Sequence, residues 1–146
     1  MKLDPESTHD LPSGAWRCRW VQGPRSELEE LALAFRGSAV TGSGIDADGT
    51  FNYTGAVHPD RSVRLLKVYD LPRIPVPPRL AYLGRWDGHC LAGTWIDEGW
   101  PSNRGPFRMW PGHSPEPALV QEREQALPQE STPVQVFRKE GSWPSK

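Results

Sequence analysis

Between residues 14 and 111 apolar and polar positions alternate with a period of two, the spacing at which successive side chains of a strand face opposite sides. This period predicts strands over 15–22, 28–36, 38–43, 50–57, 62–70, 79–85, 89–96 and 104–110. In the first, Trp16, Cys18 and Trp20 share a face, with Arg17, Arg19 and Val21 on the other. Leu31, Leu33 and Phe35 align in the second, Phe51, Tyr53 and Gly55 in the fourth, and Val63, Leu65, Lys67 and Tyr69 in the fifth. Tight turns are expected at Arg36-Gly37, Asp46-Ala-Asp48-Gly49 and Asp87-Gly88, where Gly and Asp tolerate positive φ. Pro72, Pro75, Pro77 and Pro78 make 71–78 an extended crossing, because proline cannot donate to a sheet ladder. No segment has the helical period that a parallel βαβ unit needs. The pattern therefore predicts an all-β fold, an eight-stranded antiparallel up-and-down β-barrel, with a two-sheet sandwich as the alternative.

Composition narrows the folded part. All but two of the 14 Gly and all but one of the 7 Trp lie within 14–111. Residues 1–13 read as a flexible leader, and 112–146, rich in Pro, Glu, Gln and Ser, as a disordered tail. Within that tail Val120–Leu127 is a candidate helical turn and Val134–Phe137 a candidate docking strand. Net charge is -1, and the 13 Arg and 4 Lys are interspersed with acids, so nothing calls for nucleic acid or an anionic membrane as partner. No apolar run approaches the roughly 20 residues of a membrane-spanning helix, and the polar start has no secretory apolar core. A cytoplasmic location is expected, with Cys18 and Cys90 reduced and on opposite faces.

Gly14-Ala-Trp16, at the start of the first strand, resembles the opening of lipocalin-like barrels, the calycins. In those barrels the Trp plugs one end beneath a basic residue from the last strand, which the resemblance assigns to Arg108 or Arg104. A longer series also carries a resemblance. It runs Gly42-x-Gly44-x-Asp46-x-x-Gly49-x-Phe51-x-x-x-Gly55, then Val63-x-Leu-x-Lys67-x-Tyr69, Tyr82-x-Gly84, Gly93-x-Trp95 and Gly105-x-Phe107. This series is similar to a small β-barrel domain found alone in bacteria. The same barrel type resembles the C-terminal substrate-binding region of a cyclin-D-recruiting F-box-only adaptor family. The chain contains no F-box, so the resemblance implies the barrel and a pocket suited to a chain terminus or small polar group, not a ligase role.

Candidate chemistry centres on Lys67. Its parity puts an ammonium on the face of Val63, Leu65 and Tyr69, and an interior ammonium needs a carboxylate, a carbonyl or an anionic ligand. Asp46 and Asp97 are the candidate internal partners; the alternative is a rim lysine whose amine reaches water. Trp16, Trp20, Phe35, Phe51, Tyr53, Tyr69, Tyr82, Trp95 and Phe107 are expected inside, as plain core or as the walls of an aromatic cleft. Trp86, Trp100 and Trp110 are expected at strand ends or in loops, as mouth contacts or plugs, and Glu29 and Glu30 as solvated charges. Asp46-x-Asp48-Gly49 echoes a calcium loop but lacks its terminal Glu and flanking helices, and reads better as a hairpin corner. The four His and two Cys have no metal-ligand spacing, and no nucleophile elbow, zinc-protease or P-loop motif occurs, so no cofactor is expected. The expectation is a non-enzymatic module that holds a small organic anion or peptide terminus on Lys67, Tyr69, Tyr53, Tyr82, Trp95, Phe51 and Trp20. The alternatives are an isomerase or hydrolase with Lys67 or Tyr69 as acid or base, and a protein-interaction scaffold acting through exposed Trp or the tail.

Overall fold

The computed structural model describes residues 9–117. They form a closed antiparallel barrel of eight strands in chain order: β1 Gly14–Gln22, β2 Arg25–Arg36, β3 Ala39–Asp46, β4 Gly49–Val57, β5 Ser62–Tyr69, β6 Arg79–Trp86, β7 Leu91–Asp97 and β8 Arg104–Pro111. β1 pairs with β8 from Trp16 opposite Pro111 to Trp20 opposite Phe107, which closes the cylinder and excludes the open sandwich. No helix among the described residues is long and apolar enough to cross a membrane.

The alternation in sequence becomes the inside and outside of the wall. The core comprises Trp16, Cys18 and Trp20 from β1, Leu31 and Leu33 from β2, Phe51, Tyr53 and Val57 from β4, Val63, Leu65 and Tyr69 from β5, Tyr82 and Trp86 from β6, Leu91 and Trp95 from β7, and Phe107 and Met109 from β8. All nine aromatics expected inside are there, with Phe35 packed at the margin. β3 contributes small groups. Gly42 and Gly44 follow Val40 on its inward face, and Asp46 ends the row. A Cβ at Gly44 would strike the Phe51 ring, and one at Gly42 would strike Leu33, so these glycines make room for neighbours' side chains. Gly55 lies against the backbone of β5 in the same way, Gly49 closes the β3–β4 turn with φ +136°, and Gly14 begins β1.

One end of the barrel is sealed, and the seal includes residues expected in a flexible leader. Leu11 is in the core, the Trp16 indole donates to Pro12 O at 2.8 Å, and the Trp86 indole donates to Asp10 Oδ1 at 2.6 Å. Trp16 packs on Phe35 and Trp86 at ring separations of 5.9 and 5.6 Å. Residues 9–13 therefore belong to the domain, because the Trp16 and Trp86 rings give them apolar surface to cover. Trp86 is part of this plug and Trp110 is also buried, so of the three Trp residues expected at ends or loops only Trp100 is exposed, at 60%.

Arg108 does not cap Trp16. It lies on the outer face of β8, where Glu116 accepts from Arg108 Nη2 at 2.6 Å and from Arg19 Nε and Nη2 at 2.8 and 3.1 Å. Arg104 instead donates to Pro101 O. Glu116 thus fastens residues 112–117, the start of the expected tail, to the wall. The outward arginines are paired locally, since Arg17 faces Glu30, Arg19 faces Glu116 and Arg64 faces Glu98. Residues 1–8 and the candidate elements at Val120–Leu127 and Val134–Phe137 lie outside the described residues.

Gly93 shows how tightly the wall is drawn. It pairs with Gly84, and an added Cβ would run into the carbonyl oxygen of Leu83. Gly93→Ala should destabilise the barrel by about 1–3 kcal/mol, the usual cost of overpacking. Gly99→Ala, where the nearest atom is Asp97 Oδ1 at 3.6 Å, should stay close to wild type. Urea denaturation midpoints compare the two.

Candidate functional site

Lys67 stands in β5 opposite Tyr53 of β4 and Leu80 of β6, with its side chain inside. Its ammonium is fully enclosed: Phe51, Tyr69, Tyr82 and Tyr53 surround Nζ with ring centroids at 4.2, 5.0, 5.8 and 6.0 Å. Those π-faces attract a cation but do not replace its lost water. Two carboxylates do that. Nζ lies 3.3 and 3.2 Å from the two oxygens of Glu29 and 3.0 Å from Asp46 Oδ2. Lys67 is thus a buried, internally paired lysine, not a rim lysine.

Asp46 is one of the two expected partners. Asp97 is not the other: it holds the β7–β8 loop, accepting from Gly99 N at 2.9 Å and Asn103 Nδ2 at 3.4 Å. The second partner is Glu29, which was expected in solvent. β2 begins at Arg25, so Glu29 is inside a strand rather than at its edge, and it is only 4% exposed. Its sequence did contain the signal, because Glu29 has the parity of Leu31, Leu33 and Phe35. A charged side chain argues for solvent where its parity argues for the interior, and in the fold the Lys67 ammonium across the barrel makes an inward Glu tenable.

The remaining polar atoms are matched in turn. Glu29 accepts from the Trp20 indole at 2.9 Å and from the Tyr53 hydroxyl at 3.4 Å. Asp46 accepts from the Tyr69 hydroxyl at 2.6 Å and, through Oδ1, from the Asp48 amide at 2.8 Å. The two carboxylates titrate in opposite directions. Burial pushes Glu29 above its ordinary 4.5, against the pull of Lys67. Burial also works against ionised Asp46, but the Tyr69 hydrogen bond and the Lys67 charge together outweigh it and hold Asp46 below 3.8. Burial raises the Tyr53 and Tyr82 phenols and, with Asp46 accepting from its hydroxyl, the Tyr69 phenol, so all three remain neutral donors.

Above this cluster lies a cavity of about 450 Å³ at the end of the barrel opposite the Trp16–Trp86 plug. Lys67 forms part of its floor. Trp20, Trp95, Tyr69, Tyr82 and Leu80 form its walls, and Leu71, Ile74 and Pro78 of the proline-rich crossing overhang it. Trp20 and Trp95 meet edge to face at 6.2 Å, and the Trp95 indole is fixed by Val21 O at 2.9 Å. The expected site residues therefore divide. Lys67, Tyr69, Tyr82, Trp95 and Trp20 reach the cavity, whereas Phe51 and Tyr53 pack beneath it and hold the cluster. The candidate calcium loop holds no metal constellation, since no group of three potential ligands occurs among the described residues.

Cys18 and Cys90 are buried and not disulfide-bonded, and burial pushes the Cys18 thiol well above its ordinary value, which keeps it unreactive. Comparison of the chain with protein-family models, with curated proteins and with solved structures returned no significant match.

Lys67→Met leaves Glu29 and Asp46 facing each other without their cation and should cost about 3–5 kcal/mol at neutral pH. The loss should shrink as acid protonates the carboxylates, which urea unfolding at several pH values measures. In the wild type, carboxyl carbon NMR should find Glu29 titrating above 4.5 and Asp46 below 3.8. By linkage, Glu29 favours folding most in acid and loses that contribution as pH rises through its folded-state midpoint. Asp46 contributes above its ordinary range and loses its contribution as pH falls through its folded-state midpoint.

Proposed function

We propose that this barrel is a non-enzymatic binding module that takes one small organic molecule with a flat apolar body and a polar head. The observation that carries the reading is the aromatic cavity of about 450 Å³ with an internally paired lysine at its floor. Its size is in the usual small-molecule range of roughly 300–1,000 Å³. Trp20, Trp95, Tyr69 and Tyr82 offer ring surface. The Lys67 ammonium itself is buried beneath those rings and paired with Glu29 and Asp46.

That pairing changes the expected ligand. An organic anion, or the carboxylate end of a peptide, would need a cation without a partner, and it would meet Glu29 and Asp46 directly behind Lys67. The ligand supported by this arrangement is uncharged or cationic. The calycin-like resemblance of Gly14-Ala-Trp16 belongs to the same proposal, as does a cytoplasmic setting in which the buried cysteines stay reduced.

A second reading, acid–base catalysis in the same cavity, draws on Glu29, whose raised pKa and contact with Lys67 are features of catalytic carboxylates. Against it, Glu29 is sealed beneath the cavity with its oxygens engaged by Trp20, Tyr53 and Lys67. Recovery of a bound compound chemically unchanged after prolonged incubation favours the binding module, and conversion favours the enzyme.

N-phenyl-1-naphthylamine, an uncharged aromatic probe, should bind with saturable fluorescence enhancement at one molecule per chain. Leu80→Trp places an indole in the cavity wall and should weaken uptake at least about tenfold while leaving the unfolding midpoint within about 1 kcal/mol of wild type. Absence of saturable uptake, or uptake indifferent to Leu80→Trp, would sink the proposal.

A further inference from the structure

Resting on the reading of the cavity as a ligand site, we infer that its ligand is an organic cation, an amine borne on a flat apolar body. The charges that face the cavity or stand directly behind its floor are Arg25, Lys67, Glu29, Asp46, Asp48 and Asp97. Four carboxylates therefore confront two cations, and neither cation is free to offset the excess. Lys67 is committed to Glu29 and Asp46. Arg25 lies over the outer Trp20 ring at 5.0 Å and donates to Glu27 Oε2 at 3.1 Å, which adds another carboxylate at that edge.

Asp48 and Asp97 have no cationic partner among the described residues. They reach the cavity from the β3–β4 turn and the end of β7: Asp48 as an exposed side chain at the rim, and Asp97 with its carboxylate held by Gly99 N and Asn103. The cavity is thus a low-dielectric cup with negative potential and aromatic walls. Such a cup concentrates field lines, and the faces of Trp20, Trp95, Tyr69 and Tyr82 attract an ammonium in the same sense as the carboxylates do. An anion is opposed by both features, whereas an uncharged isostere gains only the apolar contact.

Tryptamine, tryptophol and indole-3-acetate share one ring system and differ in charge, so they separate this inference from the cavity reading. Calorimetric titration of the full chain at low salt and neutral pH should rank tryptamine at least about tenfold tighter than tryptophol, with indole-3-acetate weakest. The double variant Asp48→Asn, Asp97→Asn should remove most of the tryptamine advantage without changing tryptophol affinity, and Asp48→Asn alone, which leaves the β7–β8 loop bonds intact, should remove part of it at an unchanged unfolding midpoint. Added salt should weaken tryptamine selectively. If tryptophol or indole-3-acetate binds as tightly as tryptamine while N-phenyl-1-naphthylamine is still taken up, the cationic ligand is wrong and the cavity reading stands. If none of the three binds and the naphthylamine is not taken up, both fall.

Discussion

The interaction on which the interior depends is the Lys67 ammonium held between Glu29 and Asp46. An unpaired ammonium in an aromatic core would cost several kcal/mol. Two carboxylates from other strands lift that penalty only if they arrive inside the barrel at hydrogen-bonding distance. β2 and β5 are not neighbours in the sheet, so the Glu29–Lys67 contact spans the interior and fixes their separation. Asp46 reaches the cluster because Gly42 and Gly44 precede it on the inward face of β3 and leave space for Leu33 and Phe51. The phenols follow the same constraint. Tyr69 and Tyr53 each face a carboxylate because the oxygens of Glu29 and Asp46 outnumber the donors that Lys67 supplies.

That cluster also divides the barrel in two. Below it, edge-to-face contacts run from Tyr69 to Phe51, Tyr53, Tyr82 and Phe107 at 5.9, 5.4, 5.5 and 4.8 Å, and the interior is filled. At the far end Trp16, Trp86 and Leu11 complete the fill, and residues 9–13 satisfy the two indoles. Above the cluster Trp20 donates to Glu29 and Trp95 donates to Val21 O, which fixes both indoles. The two rings meet edge to face at 6.2 Å, and the cavity lies beside this pair, bounded also by Tyr69, Tyr82 and Leu80.

The barrel was legible because its evidence is repetitive. Alternation over eight runs, with Gly or Asp at the turns, leaves few alternatives, and one misplaced boundary does not alter the topology. The site was legible only in part. Lys67, Tyr69 and Asp46 followed from parity and from the cost of burying a charge. Glu29 was lost because a lone carboxylate is so often solvated that its residue type outweighed the parity it shares with Leu31, Leu33 and Phe35. The same habit hid Leu11, inside a polar leader, and Glu116, inside a proline-rich tail. Trp86, at the end of β6, falls on the plug side of its two alternatives because Asp10 and Leu11 cover that end, and Trp110 is buried as well. Arg108 shows the limit of resemblance, since its neighbour in the fold is Glu116 and not the indole that the pattern assigned to it.

A lysine at the floor of an aromatic cup invites the assumption that the cup binds anions, and here the surrounding geometry argues the reverse. Preorganised donors are worth most when their orientation is fixed before the ligand arrives. Glu29 and Asp46 hold Nζ in place, and in doing so they cancel its charge, so the feature that makes Lys67 a good hydrogen-bond donor makes it a poor counter-ion. What remains at long range is the surplus of carboxylate, reinforced by the negative faces of four rings and by Asp48 and Asp97 at the mouth. In the proposed site, selection by charge would come from these acids rather than from the lysine they enclose. A ligand that answers to this arrangement would place its charge toward the acids at the mouth and its apolar body against the faces of Trp20, Trp95, Tyr69 and Tyr82.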